Sequence, residues 1–434
     1  MTLVGSRVEW VLVLLACWRM GVVALPCNPQ LRRKDLEVRV AGAGPKLAVG
    51  EARYLGELPD GVPYMDMDEV ARVLDEDLAQ ETPAELATLD PDEPAAIVFT
   101  SGTTGEPRGV VYPQRYLAGQ GPQAEHWFGA REGDVAWCTA SPGWSKSTRN
   151  AFVAPWLRGA VAVLHDGRFE PEERLRLCEE LGVSVLCQAP TEYRMLASRA
   201  EPRPIPSLRR LVSAGEPIEP ETIRIFRERM GLSVADGYGQ TETGQVTGMR
   251  PGEDDPARDG SMGRPLPGVE VRIAGDDDSA DGVGELQLLA SSSPTFFLRY
   301  LDGERFDGEW WPTGDRARED PDGYLWFEGR SDDLILSSGY RIGPFEVESA
   351  LLTHPAVAEA AAVAAPDPER GAVVRAVVVL SAGATPSDDL ARELQAHVRG
   401  QTAPYKYPRI VEFAESLPKT HSGKVRRAEL RAGG

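Results

Sequence analysis

Ten consecutive residues, Thr100-Ser101-Gly102-Thr103-Thr104-Gly105-Glu106-Pro107-Arg108-Gly109, carry the densest chemistry in the chain. Three glycines let backbone N–H groups turn toward one point, and four hydroxyls add donors, which is how a loop grips phosphate oxygens. Arg108 supplies a countercharge. No Gly-Lys-Ser/Thr closes the run, so it is not a Walker A loop. Two further blocks, Ser213-Ala214-Gly215-Glu216-Pro217 and Asp236-Gly237-Tyr238-Gly239-Gln240-Thr241-Glu242, each follow an apolar run that reads as a parallel strand. They therefore lie at carboxyl ends, where open α/β sheets bind ligands. Tyr238 offers a flat face to a base, Thr241 a hydroxyl to a phosphate, and Glu242 a hard oxygen ligand to Mg²⁺. Thr313-Gly314-Asp315, with Arg330 further on, provides a carboxylate of the kind that accepts two vicinal ribose hydroxyls. Pro418-Lys419-Thr420-His421-Ser422-Gly423-Lys424 sets a lysine beside a glycine in a polar loop. Taken singly, each block has a plainer reading: a glycine turn, a core tyrosine, a turn aspartate, a solvated tail.

The elements that must position these blocks follow from periodicity. Ala95–Thr100 reads as a buried strand stopping at the glycine-rich loop. Pro171–Leu181 is a helix with proline at its start and Gly182 as its stop, followed by a strand at Val183–Gln188. Leu208–Ser213 is a strand, Pro220–Met230 an amphipathic helix closed by Gly231, and Leu232–Ala235 a strand again. Alternation of this kind predicts βαβ units and a parallel sheet. Residues 251–331 are punctuated by Gly and Asp and predict an antiparallel meander. Beyond Asp332 come a helix from Pro344, strands near Ala358–Ala364 and Ala372–Leu380, a helix near Ser387–Val398 and a strand at Ile410–Phe413. The expectation is an α/β protein with a large N-terminal domain, 1–331, whose residues 251–331 form a small β subdomain, and a small α+β domain, 332–434.

Composition narrows the function. The 434 residues fit two or three domains at ~150 residues each. With 47 Lys+Arg against 67 Asp+Glu, the formal charge is −20, which repels phosphate backbones and anionic lipid and argues against a nucleic-acid or membrane-surface binder. Cys17, Cys27, Cys138, Cys178 and Cys187 are an odd count without a CxxC pair, which suits a reducing compartment, here the cytoplasm. Scattered histidines form no HExxH, which excludes a metal-centred hydrolase. The apolar stretch Trp10–Pro26 is interrupted by Arg19, and its unbroken part is too short to cross a bilayer. It reads as a buried helix ending near Gly21, then a core strand, Val22–Leu25.

Together, in this order, the five blocks resemble the adenylate-forming superfamily of acyl-CoA synthetases, luciferases and peptide-synthetase adenylation domains. Ser338-Gly339-Tyr340-Arg341-Ile342-Gly343-Pro344-Phe345-Glu346-Val347-Glu348 and Pro404-Tyr405-Lys406-Tyr407-Pro408-Arg409 look most like the medium-chain acyl-CoA synthetases. By that resemblance, Thr100, Ser101, Gly102, Thr103, Thr104, Gly105 and Arg108 form the triphosphate loop. Gly215, Glu216, Pro217, Asp236, Gly237, Tyr238, Gly239, Gln240 and Thr241 form the adenine and α-phosphate site. Glu242 is the Mg²⁺ ligand, Asp315 binds the ribose with Arg330 beside it, and Lys424 bridges carboxylate and α-phosphate. Asp332 is the hinge of a mobile C-terminal domain, and Ser338, Gly339, Tyr340, Arg341 and Arg370 meet CoA. Lys424, Thr241 and Glu242 carry the catalysis.

The resemblance implies an AMP-forming acyl-CoA ligase that uses ATP, Mg²⁺ and coenzyme A on a small-molecule carboxylic acid, with a homo-oligomer left open. Gly239 stands where acetyl-specific relatives place a tryptophan, so the acyl pocket, with Trp144 as a wall or as core, has room for a medium-length or aryl acid. Arg108 replaces a customary lysine. The chain starts just ahead of the segment resembling Val8–Gly21, so the family's first strand and helices are expected to be missing, leaving an exposed edge and reduced stability. Two rival readings remain: an acyl-AMP ligase loading a carrier protein, separated by whether Arg341 and Arg370 matter, and a truncated, catalytically silent nucleotide-binding protein.

Overall fold

The computed structural model describes residues 1–75, 85–100, 107–253, 255–275, 282–337, 340–420 and 424–432, with Arg341 described by its backbone alone. Two compact units divide the chain. Met1–Thr100, Glu106–Glu270 and Leu288–Trp311 make one, and Val271–Gln287 with Pro312–Gly434 belong to the other.

The first unit is built around a five-stranded, all-parallel sheet in the order Val234–Gly237, Arg210–Ala214, Val185–Gln188, Val135–Cys138, Val161–Val163. The helices Pro171–Glu180, Pro190–Arg199 and Pro220–Met230 each begin with proline, whose missing N–H costs nothing in a first turn. The last ends where Gly231 adopts φ +71°, a left-handed conformation that a residue with a Cβ disfavours. Between sheet and helices, Trp137, Leu175, Tyr193, Leu196, Leu211, Ile223 and Phe226 are buried together. The predicted strands and helices over residues 171–237 are observed with ends shifted by at most two residues, and the helix Pro190–Arg199, which the sequence pattern did not predict, joins two of the strands.

Two expectations need correction. The strand predicted at Val22–Leu25 forms instead at Pro26–Cys27, in parallel register with Thr2–Leu3, while Val22 and Val23 are exposed. Gly21 at φ +69° turns the chain out of the helix Val8–Arg19, and pairing with Thr2–Leu3, not apolarity, sets where the strand begins. The strand at Pro94–Phe99 does not join the parallel sheet. It pairs antiparallel with Gly109–Pro113, which in turn pairs antiparallel with Arg299–Tyr300. The connection 100–108 is too short for the crossover that a parallel pair requires.

In the second unit, Val271–Ala274, Val283–Leu289, Trp310–Glu319 and Leu325–Arg330 form the expected meander, its last pair antiparallel with Asp315 opposite Arg330. A further sheet runs Tyr340–Ile342, Ile335–Ser337, Gly371–Leu380, Val357–Asp367, with Ile410–Phe413 parallel to Gly371–Leu380. The helices Pro344–Leu352 and Asp388–Gln401 cover it, and the second is capped by the Ser387 side chain, which accepts from Leu390 N–H. Ile335, Val347, Leu351, Val374, Val378, Leu394 and Val398 are its buried core. No helix among the described residues is long and apolar enough to cross a membrane.

Candidate active site

The carboxyl ends of the parallel strands bring two predicted blocks onto one edge. Ser213 stands opposite Gln188 on one side and Asp236 on the other, and Ala214 opposite Gly237. Along that single rung, Gln188 Nε2, Ser213 Oγ and Asp236 Oδ1 are all buried without a hydrogen-bond partner. Buried polar atoms are normally satisfied, so three orphans in a row make this edge a candidate ligand site. Burial drives the Asp236 carboxyl well above its usual range, and the charges of Glu219 and Glu216 add to the effect. Next on the chain, Gly215 at φ +107° turns sharply, and a Cβ there would come within 3.0 Å of Lys146 Nζ. Lys146 donates to Ala214 O at 3.1 Å. Glu216 accepts from Thr191 Oγ1 at 3.0 Å and, with Glu219, pairs with Arg194, which fixes the Gly215–Pro217 turn to the helix Pro190–Arg199.

Asp236–Glu242 runs on into a tight hairpin, with Gly239 opposite Gln245 and Gln240 opposite Gly244. A Cβ on Gly237 would meet Gln245 Nε2 at 2.4 Å and Trp127 Nε1 at 2.6 Å, and one on Gly239 would meet Gly244 O at 1.9 Å. Close backbone approach alone demands glycine at 239. Thr241 O accepts from Tyr112 Oη at 2.7 Å, and Glu242 Oε1 from Tyr300 Oη at 3.0 Å. The Arg108 guanidinium lies 3.5 Å over the Tyr300 ring and pairs with Asp302 at 3.0 Å and Glu304 at 2.6 Å. Thr100 and Arg108 close their loop on each other, Thr100 N–H to Arg108 O and Arg108 N–H to Thr100 Oγ1. Ser101, Gly102, Thr103, Thr104 and Gly105 lie outside the described residues. Half-buried Trp144 starts the helix Ser145–Thr148.

In the second unit, Arg330 bonds Asp315 Oδ1 at 3.3 Å and Asp332 Oδ1 at 3.0 Å. Tyr340 is exposed and stacks on Tyr405, ring centroids 4.2 Å apart. Arg341 is opposite Leu336. Arg370 sits in the turn before Gly371, which pairs with Ser337, and its N–H donates to Asp367 Oδ1 at 2.9 Å. Ser338 and Gly339 lie outside the described residues. Exposed Lys424 ends a small bridge: Lys419 pairs with Val425, Thr420 N–H donates to Lys424 O at 2.8 Å, and Lys424 N–H to Thr420 Oγ1 at 3.2 Å.

Sequence reasoning missed Tyr300, Tyr112, Arg194 and Arg149. Tyr300 is 58 positions from the carboxylate it contacts, and nothing in its own neighbourhood signals the pairing. Lys146 closes the Ser141–Lys146 segment around Trp144 and could have been singled out there as a cation in an apolar context.

The model of the AMP-binding enzyme family matches residues 1–301, and that of the AMP-binding enzyme C-terminal domain matches 346–424. The chain is 42% identical over 438 residues to the uncharacterized acyl-CoA ligase YtcI of Bacillus subtilis, covering 96% of this chain and 82% of that protein. It is 39% identical to the mitochondrial acyl-coenzyme A synthetase ACSM3 of Mus musculus, covering 98% and 77%. Among solved structures, the anthranilate CoA ligase AuaEII in complex with anthranoyl-AMP matches with a TM-score of 0.88 at 28% identity, covering 100% of this chain and 86% of that one.

Proposed function

The chain belongs to the AMP-binding enzyme family and is an AMP-forming acyl-CoA ligase, and from that premise we propose that it activates a medium-length or aryl carboxylic acid at the strand edge described above. The observation that carries the reading is the rung of unpartnered atoms at Gln188, Ser213 and Asp236, directly behind the Gly215 and Tyr238 turns. Asp236, whose carboxyl burial pushes toward its protonated form, faces this edge where a base would lie. Tyr238 packs the adenine, Gly215–Pro217 and Thr241 meet the α-phosphate, and Thr100–Arg108 closes on the β- and γ-phosphates. Asp315, oriented by Arg330, holds the ribose.

The step is attack of an ionised carboxylate on an α-phosphate, with pyrophosphate leaving. No protein base is needed, since the acid is already deprotonated. What the protein must do is offset two anions, which falls to Lys424, the backbone donors and Arg108. One carboxylate, Glu242, fits the donor set for Mg²⁺, an ion that takes one or two carboxylates and leaves the rest of its shell to phosphates and water. When bound there, the metal neutralises phosphate charge. Thiol attack on the adenylate then releases AMP, with Tyr340, Arg341 and Arg370 receiving CoA after the C-terminal domain swings about Asp332. The free cysteines support a cytoplasmic setting.

Incubation with ATP, Mg²⁺, CoA and octanoate, butyrate or benzoate should release AMP and a thioester. A folded sample releasing neither from any acid sinks the proposal. Lys424→Ala should lower adenylate formation roughly a hundredfold or more, yet keep thioester formation from supplied acyl-adenylate; equal loss of both would remove Lys424 from its role.

A further inference from the structure

Two cations three positions apart, Lys146 and Arg149, follow Trp144 and so share one helical face. The helix Ser145–Thr148 passes directly into one turn of π-helix, Arg149–Val153, all of whose residues are buried. Such turns concentrate at functional sites, because the extra residue re-aims side chains. Arg149 is 4% exposed. Its Nη2 donates to Gln245 Oε1 at 3.3 Å, a neutral partner, and its Nε and Nη1 are buried without a well-aligned partner, beside the Tyr116 hydroxyl. Among the described residues no carboxylate lies within ion-pairing distance of it. Several other sheltered arginines are matched by carboxylates, Arg174 with Glu192, Arg194 with Glu216 and Glu219, Arg209 with Asp134, whereas buried Arg39 and Arg210 spend their donors on backbone carbonyls. An unpaired buried charge is costly to keep, and here it is kept beside the reaction site. Gln245 lies three residues past Glu242. Tyr116, whose buried hydroxyl faces the guanidinium closely enough to feel both its charge and its hydrogen-bonding, stacks at 4.1 Å on Tyr112, which bonds Thr241 O.

We infer that Arg149 is a specificity residue that binds a second carboxylate at the far end of the acid, so that the preferred substrate is a dicarboxylic acid. The inference rests on the ligase reading and on the acyl group entering past Trp144. A distal carboxylate takes the donors that the protein leaves open, forming charge-assisted bonds. A methyl terminus of the same length leaves the guanidinium desolvated and unpaired, and sites built for a polar group reject analogues lacking it.

The test compares adipate with hexanoate and suberate with octanoate, by pyrophosphate release. The wild type should favour each diacid at least about tenfold in kcat/KM, the difference lying in KM. Arg149→Met should lower kcat/KM for suberate roughly a hundredfold and leave octanoate unchanged or improved. Arg149→Lys, which keeps the charge, should retain the diacid preference, and it guards against a Met variant that fails to fold. A wild type that prefers the monoacid at equal length, or a Met variant whose ratio is unchanged, overturns the inference while leaving the ligase intact. A folded protein that turns over neither kind of acid takes down the ligase reading and this inference with it.

Discussion

At the scale of single residues, the site runs on positions where side chains are either forbidden or left without partners. Gly239 is the first kind. A Cβ there would lie 1.9 Å from Gly244 O, which requires glycine whether or not the position also lines an acyl pocket. Gly239→Ala should therefore destabilise the protein by about 1–3 kcal/mol, as overpacking does, seen as a lower urea midpoint. A changed acid preference with full stability would restore the pocket reading. Asp236 is the second kind. Because burial raises its folded pKa, the folded chain holds a proton that the unfolded chain loses above about pH 4. Its contribution to stability is present below that pH and declines as pH rises toward the folded value. Asp236→Asn, which is neutral throughout, should flatten stability against pH above about pH 4 relative to the parent. A parallel pair of curves in urea titrations would refute the upward shift of the carboxyl.

At the scale of elements, the short helix Arg427–Ala432 acts as the anchor for Lys424. Arg427 donates to Glu348 Oε1 at 2.8 Å and Oε2 at 2.7 Å, and Arg431 to Asp333 at 2.8 Å. Glu348 is buried and, among the described residues, otherwise receives only Ala362 N–H. Arg427→Ala strands that carboxylate, at a cost of about 1–3 kcal/mol for a partly sheltered pair. It should also slow adenylation more than thioester formation, because the lysine's tether is lost. Half-reaction rates measured on a folded variant decide this: equal slowing of both would make the helix a general support.

At the scale of the whole molecule, a formal charge of −20 sets the chain against itself. Self-repulsion acts over roughly the 10 Å Debye length of 0.1 M salt, so the urea midpoint should rise as NaCl is raised from about 10 to 300 mM. A midpoint that falls would mean that the many surface Arg–Glu pairs, such as Arg176 with Glu173 and Glu180, outweigh the net charge. Anionic substrates approach the same acidic field, which is why local cations such as Arg149 and Lys146 stand out.

Most of the scaffold was legible in advance. Strand–helix alternation, prolines at helix starts and glycines at helix ends are local signals, and Pro220–Met230 was placed to the residue. The blocks proposed to hold the nucleotide stand out in the sequence too, because phosphate and base recognition puts special backbone and hydroxyls into contiguous runs. Pairing was not. Whether Pro94–Phe99 joins a parallel sheet or a hairpin, and where the strand near Pro26 begins, depend on partners distant in sequence. The same holds for Tyr300 against Glu242, for the glycine demanded at 239, and above all for Arg149 being left without a counter-ion. A sequence states which charges exist; only the packed chain decides which of them are neutralised, because burial and pairing are properties of neighbours in space.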